Sequence, residues 1–320
     1  MWKMILRRVL ILIPQLFALS IIIFVMAHFM PGDALTGLID PTISPEDIEI
    51  MREQLGLNRP LYVRYFDWVT SMLQGDFGRS FHHQRPVVDV IGERLPNTVR
   101  LSLVATIFTY LIAIPMGVIA GRYREKIADR AIINYTFFAI AIPLIVFALL
   151  NVYLFGFTLR WFPIQGSVDP RLATGTFAYH ISRLQHLILP ALTMALLGTA
   201  GIVNILRSEI IDNENSDYVT TVRAKGAPRR IVYNRHIFRN ASLPLVAGFG
   251  FALVNLLSGT AVIERIFSFP GMGNLFVQSI NGRDFSTANT LIMMYGIIGV
   301  VGTMLSDIFM IVADPRIRVK

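Results

Sequence analysis

The residues whose types and spacing could do chemistry are concentrated in one polar stretch, DYVTTVRAKGAPRRIVYNRHIFRNA, Asp217 to Ala241. Six bases fall within it, Arg223, Lys225, Arg229, Arg230, Arg235 and Arg239, and no acid follows Asp217 until Glu264. That pattern offers charge pairing and docking rather than bond-making. Motifs for covalent or hydrolytic chemistry are missing. No His opens H-E-x-x-H, no Ser sits in G-x-S-x-G, and Asp76-Phe77-Gly78 has no H-R-D to serve it. Lysines follow only Trp2, Glu125, Ala224 and Val319, so no Gly-Lys-Ser/Thr loop is present to hold nucleotide phosphates. With no Cys, disulfides and thiolate metal sites are excluded, and His28 lacks clustered partners that would make it a metal ligand.

Within the stretch, Asp217 reads as a helix N-cap, with acids before it and bases after it, the order that suits a helix dipole. Tyr218 and Val222 share one face, Thr221 and Lys225 the next. Gly226 permits a turn or a close approach that a side chain would block. Pro228 then restarts a helix in which Ile231 and Phe238 align seven apart. The expectation is a helix–turn–helix lying on a membrane surface. Two readings stay open on these residues alone: docking to a partner protein, or an amphipathic hairpin against lipid, which accounts for the bases but not for the Gly-Ala-Pro break.

The elements that position this stretch are apolar. Hydrophobic residues make up 54% of the 320 and charged residues 16%, with a mean hydropathy of +0.57, outside the range of a soluble domain. Charge-free windows run over 9–32, 101–121, 131–159, 184–206, 240–263 and 285–306. About 20 helical residues cross a bilayer, so these windows predict an all-α, polytopic membrane protein with six transmembrane helices. The first apolar run is too long for a signal peptide and reads as an uncleaved helix.

Basic residues crowd alternate connections: Lys3, Arg7 and Arg8; Arg122, Arg124, Lys126 and Arg130; the stretch already described; and Arg316, Arg318 and Lys320. The other short connections hold few, such as Arg265 and Arg283. This bias places both termini and the basic stretch in the cytoplasm, and accounts for the net charge of +8 without any nucleic acid. The division expected is a first transmembrane helix at 1–30, a helical extracytoplasmic segment at 31–97, and a five-helix core at 98–320 with the polar loop at 212–240. In the outer segment, Ser44, Pro45 and Asp47 open a short helix that stops at Gly56. A second, about Pro60 to Gln74, puts Leu61, Tyr65, Trp68 and Met72 on one face and ends at Gly75. Both are expected to lie over the outer membrane surface, as a solvated cap or as a docking face for an extracellular partner.

YVTTVRAKGAPRRIVYNRHIFRNA resembles the EAA-type coupling loop of ABC importer permeases, in the dipeptide, oligopeptide and nickel family. The likeness extends to ILRRVLILIPQLFALSIIIFVMAHFMPGD, LGLNRPLYVRYFDWV, GDFGRSF, LPNTVRLSL, GTAVIERIFSFPGMGNLFVQSINGRDF and DPRIR, and so covers nearly the whole chain. It is greatest for the B-type subunit of oligopeptide permeases. The resemblance implies a type I ABC importer permease architecture, with a second homologous permease subunit and two separate ATPase subunits that bind ATP and Mg. It also implies an extracytoplasmic peptide-binding protein, with peptides preferred over nickel or another small solute, and no enzyme activity or cofactor in this chain. The loop's small and glycine positions fall on Ala224 and Gly226, with Ala227 following. The first acid of the pattern falls on Thr220 and is absent, and after His236 a proline of some relatives is replaced by Arg239. Coupling is thereby expected through Tyr218, Thr221, Val222, Ala224, Gly226, Ala227, Pro228, Ile231, His236 and Arg239.

Polar groups within the spans are Asn134, Asn151, Asn204, Asn255, Ser258, Thr260 and Glu264; of these Asn151, Asn204, Asn255, Ser258 and Glu264 are the candidates for the translocation pathway, with interhelical packing and hydrogen bonding the alternative reading for each Asn and Ser. Glu264 stands out as an expected outer-mouth carboxylate, facing a peptide ammonium group or Arg265. Asp307 reads as a cap or ion-pair partner near the inner end of the last span. A self-contained secondary transporter would need ionisable residues at mid-membrane, which the spans lack. Because the chain has no Cys of its own, orientation is directly measurable: a cysteine introduced at Asn213 should be labelled only from the cytoplasm, and one at Asp40 only from outside.

Overall fold

The computed structural model describes residues 2–29, 46, 49, 50, 53, 58–249 and 261–313. Every named element among them is a helix; α1 spans Trp2–Phe29 and α2 Leu61–Leu73. Helix α3 runs Val87–Arg122, α4 Ile127–Ala141, and α5 Leu144–Asn151 with a π-helical continuation over Val152–Thr158. Helix α6 is Phe177–Glu214. The polar stretch forms α7, Asp217–Ala224, then α8, Arg229–Ile231, a π-helical turn Val232–Ile237, and α9, Phe238–Ala241. Helical residues continue over 243–249, and α10 (Ala261–Ile266), α11 (Met272–Asn281) and α12 (Phe285–Ala313) complete the chain.

Helices α3, α6 and α12 are each long and apolar enough to cross a membrane. The first expected span is the 28-residue α1. The third, expected as one run, is broken: α4 and the α5 segment meet at 103°. The break sits at Ile142-Pro143, where Ile142 is extended (φ −82°, ψ 126°) as a residue before proline is pressed to be. Pro143 then caps α5 at φ −62°, ψ 134°. The middle of the fifth expected span, 250–260, lies outside the described residues, and so do Asn255, Ser258, Thr260 and the side chains of His28 and Asp307.

Helices α3 and α6 form the central pair. Ala113 and Ala120 are fully buried, and a Cβ on Gly117 would stand 3.0 Å from Leu206 Cβ, one on Gly121 2.8 Å from Ile210 Cβ. Small residues four apart on one helix let the other approach, which is how helices associate where lipid supplies no hydrophobic drive between them. Helix α4 is tied to α6 at two points. Tyr135 donates to the Leu196 carbonyl at 2.5 Å. Asp129, 4% exposed, takes a bidentate pair from Arg207 at 2.6 and 2.8 Å.

Helix α2 keeps its expected limits, ending at Gln74 with Gly75 at φ +83°. Its buried face packs on the side of α1: the Tyr65 hydroxyl meets Ser20 Oγ at 2.8 Å, and its ring meets Phe24 at 5.4 Å. The helix expected from Ser44 to Gly56, with Pro45 and Asp47, lies outside the described residues except at Glu46, Glu49, Ile50 and Glu53. Helix α3 starts at Val87, within the stretch the sequence assigns to the outer segment.

The segment after α10 folds around a buried carboxylate. Glu264 has no exposed surface; its Oε1 accepts from Thr98 Oγ1 at 2.9 Å and its Oε2 from the Asn274 amide at 2.8 Å. Thr98 Oγ1 in turn accepts from the Met272 amide at 2.8 Å, and Asn97 donates to the Pro270 carbonyl at 2.9 Å. A Cβ on Gly271 would lie 2.3 Å from the Glu264 carboxyl carbon. Overpacking a filled interior costs about 1–3 kcal/mol. Gly271→Ala should therefore lower the melting temperature and membrane abundance of the protein, whereas Ser268→Gly, which relieves a φ of +46°, should leave both intact or raise them. Thermal denaturation in detergent checks the pair.

Candidate functional site

The polar stretch is built as an extension of α6. That helix ends at Glu214, and Ser216, extended at φ −77°, ψ 147°, caps α7. Asp217, expected as the cap, is instead the first helical residue, where its charge still complements the helix N-terminus. Val219 is fully buried, and Tyr218 and Val222 pack beside it against Leu206 and Ile210 of α6. Tyr218 also donates to Asn213 Oδ1 at 2.8 Å. One face of α7 is thus fastened to its own chain, while Thr221, Ala224 and Lys225 stand exposed, as does Thr220.

The Gly-Ala-Pro break is a helix stop of the Schellman type. The Gly226 amide donates to the Arg223 carbonyl at 2.9 Å and the Ala227 amide to the Val222 carbonyl at 3.4 Å, while Gly226 takes φ +78°. Ala227 and Val222 belong to the same apolar cluster, the contact that usually accompanies this motif. Pro228, extended at φ −62°, ψ 144°, prevents the helix from resuming until Arg229. A Cβ on Gly226 would meet nothing within 4 Å. Inside this chain, then, it is the left-handed backbone and not lack of room that calls for glycine there.

Beyond Pro228 the expected alignment of Ile231 with Phe238 fails. Turns of the π type over Val232–Ile237 are wider than α-helical ones, and they rotate the buried face onto Val232, Tyr233, Ile237 and Ala241. Ile231 is 44% exposed and Phe238 half-buried. His236 is half-buried and Arg239 exposed. The exposed tip therefore collects Ala224, Lys225, Gly226, Pro228, Arg229, Arg230 and Ile231. The periodicity missed Val219, Val232 and Tyr233. Val219 stands three residues before Val222 on one helix face, while Val232 and Tyr233 belong to a second phase of apolar residues, which the π turn selects.

The tip is cationic and its bases are lightly engaged. Arg223 pairs with Glu214 at 2.8 Å with both side chains partly exposed, and such pairs contribute about 0–1 kcal/mol. Glu214, Arg223, Ala227, Arg229 and Val232 line a cavity of about 380 Å³. Nothing in this constellation is a nucleophile with a base to activate it. It is a surface that can seat and be pushed.

The expected pathway residues are scattered. Asn151 is 8% exposed, and its Nδ2 has no hydrogen-bond partner among the described residues. Asn204 is half-buried, and Asn134 is exposed on α4. Asn255 and Ser258 fall outside the described residues. Glu264 is not an outer-mouth carboxylate in this conformation: both oxygens are spent on Thr98 and the Asn274 amide, and Arg265 is not their partner.

Comparison with known proteins agrees with this geometry. Residues 113–319 match the family described as binding-protein-dependent transport system inner membrane component. Residues 1–102 match its N-terminal companion family. The oligopeptide transport system permease protein AppB of Bacillus subtilis is 38% identical over 98% of both chains. The glutathione transport system permease protein GsiC of Escherichia coli K12 is 31% identical over the full length of both. Among solved structures, the MetNI methionine ABC transporter matches with a TM-score of 0.55 at 14% identity, covering 70% of this chain and 96% of that one, which speaks to fold. The chain belongs to the family of inner membrane components of binding-protein-dependent transport systems, and is a multi-pass membrane permease subunit rather than an enzyme.

Proposed function

We propose that this chain is one of two homologous permeases forming the pore of an ATP-driven importer that takes oligopeptides or dipeptides into the cytoplasm. An extracytoplasmic peptide-binding protein delivers the substrate, two ATPase subunits bind ATP and Mg, and both termini of this chain face the cytoplasm. Peptide as the substrate class is supported by the relatives, one named for oligopeptide transport and another for glutathione, itself a small peptide. The observation that carries the coupling role is the division of the segment 217–241 into a seated half and a presented half. Val219, Val232, Tyr233 and Ile237 are buried against α6, while Lys225, Pro228, Arg230 and Ile231 stand outward.

Such a segment transmits force without any catalytic group. Closure of the ATPase pair displaces the exposed tip, and because the seated half is continuous with the α3/α6 pair, the displacement reaches the membrane helices. Charge on the tip guides the docking, whereas shape and apolar contact hold it, since screened pairs contribute about 0–1 kcal/mol each. The spans take no part in ATP chemistry; they change which side of the membrane the pore opens to.

Gly226 gives the direct test. A β-branched residue resists φ near +78°, and left-handed backbone costs about 1–2 kcal/mol for an L-residue, least for Asn and Asp. Gly226→Val should leave membrane insertion and assembly largely intact, yet reduce peptide uptake and peptide-stimulated ATP hydrolysis at least tenfold at equal abundance. Gly226→Asn, which tolerates the left-handed region, should keep most of both. Wild-type uptake by the Val variant would refute the coupling assignment. Loss in both variants alike would show that an ATPase approaches Gly226 too closely for any side chain.

A further inference from the structure

Glu214 is the last residue of α6, and one of its oxygens gathers two other elements. Oε1 accepts from the Tyr233 hydroxyl at 2.5 Å and from Arg223 Nη2 at 2.8 Å. Arg223 lies in α7 and Tyr233 in the π-helical turn. Between α6 and α7 stand only Asn215 and the extended Ser216, a joint where the polar segment would otherwise bend.

Tyr233 is the better-protected side of this junction. It is 3% exposed and belongs to the cluster containing Leu206, Ile210 and Val219. Guanidinium carbons flank its ring, Arg122 at the end of α3 5.2 Å from the centroid and Arg229 at 5.7 Å. Burial first, and then the Glu214 carboxylate, push the phenol above its ordinary range, so it stays protonated and donates. A phenol donating to a carboxylate is a charge-assisted bond of the stronger kind. The Arg223 contact is weaker, because both partners reach solvent. The α3 end, the α6 end, α7 and the π turn thus meet at one tyrosine and one carboxylate.

We infer that Glu214 is a positioning residue for coupling: through Tyr233 above all, it locks the joint at Asn215-Ser216 so that displacement of the tip moves α6 instead of folding the loop. The inference rests on the coupling role proposed above. It deepens that role by naming the contact on which force transfer depends, between Glu214, just before the stretch that resembles the coupling loop, and Tyr233 within it.

The test uses the complete importer in liposomes with its binding protein and a peptide substrate, reading uptake and ATP hydrolysis together. Ile231→Cys, on the exposed tip, supplies a cross-link to the ATPase that reports docking. Glu214→Ala and Tyr233→Phe should keep assembly and the cross-link but lower peptide taken up per ATP by about tenfold or more, as expected for losing one hydrogen bond to a charged group. Glu214→Gln, whose amide oxygen still accepts from the phenol, should restore most of the ratio, and Arg223→Gln should stay near wild type. An unchanged ratio in Glu214→Ala, or a loss that merely follows the amount of complex in every variant, overturns the inference. Absence of the cross-link in the otherwise wild-type chain overturns the coupling role beneath it instead.

Discussion

Helices α3 and α6 approach until Gly117 and Gly121 of one have no room for a Cβ beside Leu206 and Ile210 of the other, and this contact fixes how the polar segment is seated. In lipid, helices gain nothing from leaving water, so close packing has to hold them. Leu206 and Ile210 have a second set of neighbours, Val219, Val232, Tyr233 and Ile237, which seat the polar segment. The same two side chains therefore fill the helix pair from one side and the loop from the other. A shift in either body is felt by both, because packed interiors do not deform continuously.

The polar segment is stiffened at each point where a loop would yield. A Schellman stop at Gly226 closes α7, Pro228 sets the exit, and the Glu214–Tyr233 bond closes the entrance. Farther along, the Asp129–Arg207 pair ties α4 to α6. Breaking a buried pair of this sort costs more than forming it gains, so its value lies in holding one arrangement rather than in raw stability. Elsewhere, Asp284 accepts from Ser80 and Thr287, joining the segment before α3 to the start of α12. A membrane permease with no catalytic residue does its work through such joints, since they decide which motions are transmitted.

Sequence alone made much of this visible because local rules dominate at helix ends. Pro60 and Gly75 bracket α2 as expected, and Gly226 with Pro228 announced a stop whose type only the backbone revealed. Helix α7 kept the face of Tyr218 and Val222 because nothing distorts it. Elsewhere, tertiary context decided. Pro143 breaks a span at 103°, yet Pro115 and Pro190 sit inside helices that run on, so proline by itself did not mark the bend. A π turn, invisible to a 3.6-residue period, moved Ile231 outward and Tyr233 inward. Glu264 read as a solute contact because a carboxylate near a span is costly unless used. Its use is structural, and its partners, Thr98 and Asn274, stand far away in sequence or across a turn.

The central claim is that the polar segment and α6 move as one body when the ATPases close. Pulsed electron paramagnetic resonance between spin labels at Ser208 on α6 and Arg230 on the tip, both exposed, measures it in the assembled importer, nucleotide-free and ATP-trapped. The account predicts superimposable distance distributions in the two states, while a distance from Arg230 to a label on the ATPase changes between them. A Ser208–Arg230 distribution that shifts to a new peak on ATP trapping would show the loop bending at Asn215-Ser216, and would contradict it.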